Sequence, residues 1–209
     1  MARSYNQLAG QNIHRLEGLS DGVFAVAMTL LVLDLHTPAA AAIRGEADLW
    51  HALVVLAPRL LVYLMSFLTL GIFWVGQQTQ LNHLAKTNRT HAWLHLGFLF
   101  CVSLMPFSTS LIAEFISYRI ALILYWANIL ALGALLYASW RYATKAALLN
   151  GDVDCEIACA LERRIIVAQS LYAFGAALCA INTYWSLGFI LLVQLNYVVA
   201  PRFGILARL

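Results

Sequence analysis

The stretch from residue 15 to residue 34, Arg15-Leu-Glu-Gly-Leu-Ser-Asp-Gly-Val-Phe-Ala-Val-Ala-Met-Thr-Leu-Leu-Val-Leu-Asp34, decides how the rest of the chain is read. It opens on charged and hydroxyl residues and is then apolar, Thr29 excepted, up to Asp34, the pattern of a membrane helix with a polar foot. At about 100° per residue, Val26, Thr29, Leu30 and Leu33 fall within one arc of about 100°, continued downward by Gly22 and Leu19. Four such helices around an axis would stack a valine ring, a threonine ring and two leucine rings. Asp21 and Phe24 point the other way and Ser20 lies to the side, so Asp21 is a poor ion ligand. A carboxylate facing protein at membrane depth needs a partner, and Arg15, of the same or a neighbouring subunit, is a candidate.

Composition fixes the class. Of 209 residues 62% are hydrophobic and 11% charged, and the mean hydropathy is +0.77, too apolar for a soluble domain. The chain reads as an all-α integral membrane protein. A net charge of +3 gives no basis for a nucleic-acid partner. From the polar start, residues 1–11, no cleavable signal is expected, and the first helix would itself direct insertion.

Spans of about 20 residues cross a bilayer, and the apolar segments predict six, near 13–35, 50–82, 91–115, 118–148, 165–180 and 185–199, in a single domain over 1–209. The second span contains Pro58, and its polar end, 77–82, is expected to project into the cytoplasm. Asn150-Gly151-Asp152 signals a turn before a polar helix start at 156–164, Asn182 and Thr183 form the last tight turn, and Pro201 ends the sixth span. On this layout Arg3, Arg15, Lys86, Arg89, Arg141, Lys145, Arg163, Arg164, Arg202 and Arg208 share the side of the termini, whereas Arg44, Arg59 and Arg119 lie opposite. Ten against three places both termini in the cytoplasm. No internal repeat is evident, so a central pore requires several copies.

There is no Thr-Val-Gly-Tyr-Gly loop to supply a carbonyl filter, and no array of regularly spaced arginines. The six histidines are scattered without a zinc-type partner set; His91 and His95 share a helix face, which leaves a pH response open. Cys155 and Cys159 do not form a Cys-x-x-Cys site. Asn128, Asn182, Gln194 and Asn196 read as interhelical glue. No nucleophile and base pair up, so an enzyme is not expected, and no cofactor is implied.

The pattern Arg-x-x-x-Leu-Ser-Asp-Gly from Arg15 to Gly22, with the apolar run after it, resembles the signature of the potassium channel family called transmembrane protein 175, endolysosomal in animals and with shorter bacterial and archaeal relatives. The family usually has Phe-Ser-Asp-Gly, where this chain has Leu19. Leu104-Met-Pro-Phe-Ser-Thr109 is similar to the family's Leu-Pro-Phe-Pro-Thr segment, and Trp74 is followed by Gln77 and Gln78 where relatives often carry paired histidines.

The resemblance implies a homotetramer in a cell membrane whose first helix lines a potassium-selective pore. Val26, Leu30 and Leu33 would form its hydrophobic constriction and Thr29 a hydroxyl layer. Periodicity alone leaves these four open to ordinary packing. Arg15, Ser20, Asp21, Gly22, Trp74 and Gln78 would form a motif network. For the first three the plainer reading is helix capping, and for Trp74 it is core packing. Asp34 is either an outer-mouth carboxylate that concentrates cations, or a solvated residue or partner for Arg44 or Arg59. Glu114 has the same two readings. The expected partners are potassium ions, lipid and further copies of the chain, with no resident metal. The rival readings are a proton-permeable cation leak and a secondary transporter with broken helices; the transporter lacks the repeat that such folds carry.

Overall fold

The computed structural model describes residues 12–151 and 153–199. Arg3, Asp152, Pro201, Arg202 and Arg208, which entered the turn, helix-end and charge arguments, lie outside them. Among the described residues the chain forms seven α-helices: α1 Ile13–Leu30, α2 Glu46–Asn82, α3 Arg89–Ser103, α4 Met105–Glu114, α5 Arg119–Lys145, α6 Cys155–Ala177 and α7 Thr183–Val199. Short 3₁₀ turns follow α1, at Leu31–Asp34, and α6, at Leu178–Ala180. Four helical stretches, Ile13–Asp34, Glu46–Asn82, Arg89–Glu114 and Arg119–Lys145, are long and apolar enough to cross a membrane.

Side-chain caps set several starts. Asn12 accepts from the Arg15 amide at 3.2 Å, Asn88 from His91 at 3.0 Å and Asp154 from Ile157 at 2.8 Å, each satisfying an otherwise unpaired first-turn donor. These caps lengthen two of the expected helices. The third span begins at Arg89, and α6 runs unbroken from Cys155 through the polar stretch that precedes its apolar part.

The third span is not one helix, because regular structure stops at Leu104 and restarts at Met105. Pro106 lies in the first turn of α4, where its missing N–H costs nothing, whereas within one continuous helix its ring would crowd the carbonyl of Val102. Pro58, by contrast, sits inside an uninterrupted α2.

The end of α2 packs against its neighbours on one side, with Gln77, Gln80 and Leu81 buried and Asn82 exposed. The loop after it bridges to the loop after α5, with Ala85 N–H on Leu148 O and Asn150 N–H on His83 O, both 2.9 Å. That second loop starts from a left-handed residue, Ala147 (φ 50).

α3 packs on α1 and α5, α6 on α5 and α7, and α2 on α4 and α7. One core of Phe24, Leu31, Met65, Phe98, Tyr125 and Tyr172 runs through the bundle. It holds one face of α1 and leaves the other face bare.

Candidate functional site

The two faces of α1 and of the 3₁₀ turn that continues it differ sharply. Phe24, Ala27 and Leu31 are at most 2% exposed, whereas Val26, Leu30 and Leu33 are 56%, 43% and 66% exposed. Thr29 lies on the same open face. Its Oγ1 is 2.9 Å from both Ala25 O and Val26 O, so the hydroxyl proton goes back to the helix and the oxygen keeps lone pairs for an outside cation. Gly22 is exposed, and a Cβ there would meet nothing within 4 Å. Leu19, 45% exposed, extends the open face toward the polar foot.

At that foot the structure brings together three of the residues singled out in the sequence. Asp21 Oδ1 accepts from Trp74 Nε1 at 2.9 Å and from Gln78 Nε2 at 2.8 Å. One turn of α2 supplies both donors because i and i+4 share a face. Charge-assisted bonds of this kind are shorter and stronger than neutral ones. Asp21 is nevertheless exposed, so its carboxylate faces outward as well as toward α2. Arg15 is exposed too, and it forms none of the ion pairs among the described residues; only its backbone amide is engaged, by the Asn12 cap.

Ser20 does not lie to the side but is fully buried. It accepts from Gln77 Nε2 at 3.1 Å and pairs with His95 Nε2 at 2.7 Å. Beyond it, the His91 ring stacks on His95 with centroids 6.4 Å apart and bonds Thr87 and Ser139, both at 3.0 Å. Sequence reasoning did not connect this chain to Ser20. Its trace was present in two i, i+4 relations, His91 with His95 and Trp74 with Gln78, the second flanked by Gln77.

At the opposite end, Arg59 pairs with Glu114 at 2.6 Å and so is not the partner of Asp34. Asp34 is half-buried and makes its described contact through the backbone, with His36 Nδ1 on its carbonyl oxygen at 3.1 Å. Arg44 bonds Asp48 through its backbone amide. No group of three metal-ligating side chains occurs among the described residues.

The family model described as "Endosomal/lysosomal potassium channel TMEM175" matches residues 15–106, the part that contains the open face, the Asp21 cluster and the helix break. A potassium channel of Streptomyces collinus is 33% identical over 192 residues, covering 90% of this chain and 84% of that protein. The rat endosomal/lysosomal proton channel TMEM175 is 29% identical over 181 residues, 86% of this chain but 35% of the rat protein. The crystal structure of a lysosomal potassium-selective channel TMEM175 homologue from Chamaesiphon minutus superposes with a TM-score of 0.78 at 26% identity, covering 90% of this chain and 96% of that one.

Proposed function

The chain belongs to the TMEM175 family, and from that premise we propose that four copies assemble about an axis, with α1 innermost, as a potassium-selective cation channel. In this reading α1, α2, the α3 and α4 pair, α5, α6 and α7 make six spans of one domain in a cell membrane, with both termini cytoplasmic. The excess of Lys and Arg at that end supports the orientation.

The observation that carries the proposal is the bare branched face of α1. Val26, Leu30 and Leu33 stay exposed on a helix and its 3₁₀ extension whose other side buries Phe24, Ala27 and Leu31, and a copy of the same face is the natural cover for it. Rings of branched aliphatic groups exclude water unless they are held apart, so they gate by dewetting, and their bore sets which ions lose hydration. Thr29 places a ring of oxygen lone pairs among them. Each then offers a weak cation site, favourable enough to enter and weak enough to leave. Asp34 stands at the outer mouth and raises the local cation concentration. The bonds from Trp74 and Gln78 to Asp21 fix α1 against α2 below the constriction. Arg15 of a neighbouring subunit then meets the outward side of that carboxylate.

The test is the bore itself. Leu30→Asn and Leu33→Asn are expected to wet the narrowest point and to lower the preference for potassium over sodium in single-channel recordings under bi-ionic conditions. Unchanged conductance and selectivity in both would overturn the pore assignment. Flux that saturates and is stoichiometrically coupled to a second ion would replace the channel by a transporter.

A further inference from the structure

A cleft of about 60 Å³ opens between α2, α5, α6 and α7, at the end of the bundle where α2 stops and α6 starts. Thr79, Arg164 and Tyr197 line its outer level, and Phe73, Leu136 and Tyr172 its inner level. The two levels are about 10 Å apart, the rise of some seven residues along α2 from Phe73 to Thr79 and along α6 from Arg164 to Tyr172. No acidic residue lines it. Arg164 takes part in none of the ion pairs among the described residues, and the nearby Glu162 is already held by Arg141 at 3.1 Å.

A polar atom inside the cleft is left over. Gln169 lies flat against α5, where Gly133 has no side chain and a Cβ would overlap the amide. Its Nε2 leans on Ile129 O at 3.5 Å, and its Oε1 is buried without a hydrogen-bond partner. Such an atom costs free energy unless something meets it. An unpaired guanidinium, an acceptor that needs a donor, and an apolar wall together describe an amphiphile with an anionic phosphate and hydroxyls on its head.

We infer that this cleft binds the headgroup of a glycerol-headed anionic phospholipid, with its phosphate on Arg164 and a headgroup hydroxyl donating to Gln169 Oε1. The acyl chains run along the apolar wall into the surrounding lipid. Arginine recognises phosphate by paired N–H donors, and basic pockets between spans at a membrane surface hold anionic headgroups in this way. The inference rests on the membrane reading of the helices but not on conduction, and its test records no current.

The full chain is reconstituted in vesicles of equal parts phosphatidylglycerol and phosphatidylcholine, extracted, and examined by native mass spectrometry. Phosphatidylglycerol is expected to be retained over phosphatidylcholine by about five-fold, the mass-action equivalent of ~1 kcal/mol per basic contact. Arg164→Gln should bring the two lipids to parity. Arg164→Lys, which keeps the charge but not the paired donors, should keep part of the preference, and Arg163→Gln should keep all of it. Ala168→Trp, which fills the cleft and leaves the charge in place, should abolish it. A phosphatidylglycerol preference undiminished in Arg164→Gln, or full preference in Ala168→Trp, would overturn the site. Displacement by millimolar inorganic phosphate would reduce it to a free-anion site and overturn the lipid assignment.

Discussion

The hydroxyl cluster around Tyr125 and the motif cluster around Ser20 both bury oxygen and nitrogen among apolar helices, but they end differently. In the first, Tyr125 meets Ser66 and Thr69, both at 3.2 Å, Thr109 donates to Ser66 at 2.8 Å, and Gln194 donates to Thr69 at 2.6 Å. These residues come from α2, α4, α5 and α7, none is more than 2% exposed, and none carries a charge. The second cluster ties α1 to α2 and α3 through Ser20, Gln77 and His95 and continues at the surface to Asp21, whose carboxylate is exposed. A sealed, neutral cluster has nothing to offer a second molecule and acts only on the stability of its own subunit. A cluster that reaches the surface as a carboxylate can be read by a neighbour, and it can change state when α1 moves.

The largest effect expected from this contrast lies in the sealed cluster. Tyr125→Ala removes a fully buried ring and its hydroxyl, and the cavity should cost ~3 kcal/mol or more. Tyr125→Phe loses only interhelical bonds, which average about 0.6 kcal/mol each inside membranes, so a loss of about 1 kcal/mol is expected. Denaturation midpoints in detergent give both numbers. Ion preference in the surviving channels should be unchanged. A Tyr125 variant of normal stability with altered selectivity would break the division between the two clusters.

Asp21→Ala should show the reverse. It removes an exposed acceptor of two bonds, so subunit stability should fall by only about 1 kcal/mol. Tetramer yield on size-exclusion chromatography, or open probability, should fall severalfold. Potassium preference should persist in the channels that remain. Normal assembly and gating with lost selectivity would move Asp21 from anchor to ion ligand.

How much of this was legible follows from what a helical period contains. The spacing of Val26, Thr29, Leu30 and Leu33 says that they share a face, and the structure finds that face open in the protomer. The same periodicity put Trp74 and Gln78 side by side. It cannot say which helix meets which, so Ser20 with His95, 75 residues apart, was out of reach until α1 was packed on α3. Gln77 and Gln80 read as a polar end fit for water because composition does not distinguish a solvated stripe from one buried by a neighbour. The break at Leu104 was half legible: a proline such as Pro106 breaks a helix by its chemistry, yet hydropathy carries the third span straight through it, since Leu104 and Met105 are as apolar as the residues around them. Arg59 had two acidic candidates at the outer end, and crossing geometry, not sequence, selected Glu114.

The smallest expected effect tests whether the end of the bundle nearest the motif cluster is a rigid base for it. Ala147 occupies the left-handed position that follows α5, with Leu148 N–H on Ala143 O at 3.0 Å and Ala147 N–H on Thr144 O at 3.4 Å, a pairing that glycine favours. For an L-residue that conformation costs about 1–2 kcal/mol, against roughly 0.5–1 kcal/mol of chain entropy lost by a glycine on folding. Ala147→Gly should therefore stabilise the subunit by about 0.5–1 kcal/mol, read as a rise in its denaturation midpoint. The loop it begins is the one bonded to the end of α2, through Leu148 O and Asn150 N–H, and α2 carries Trp74, Gln77 and Gln78. If that end is a fixed base, the variant gains stability and opens with the same probability as before. A shift in opening along with the gain would mean that the end of α2 moves with α1, and that the motif cluster works between two mobile elements rather than against a rigid one.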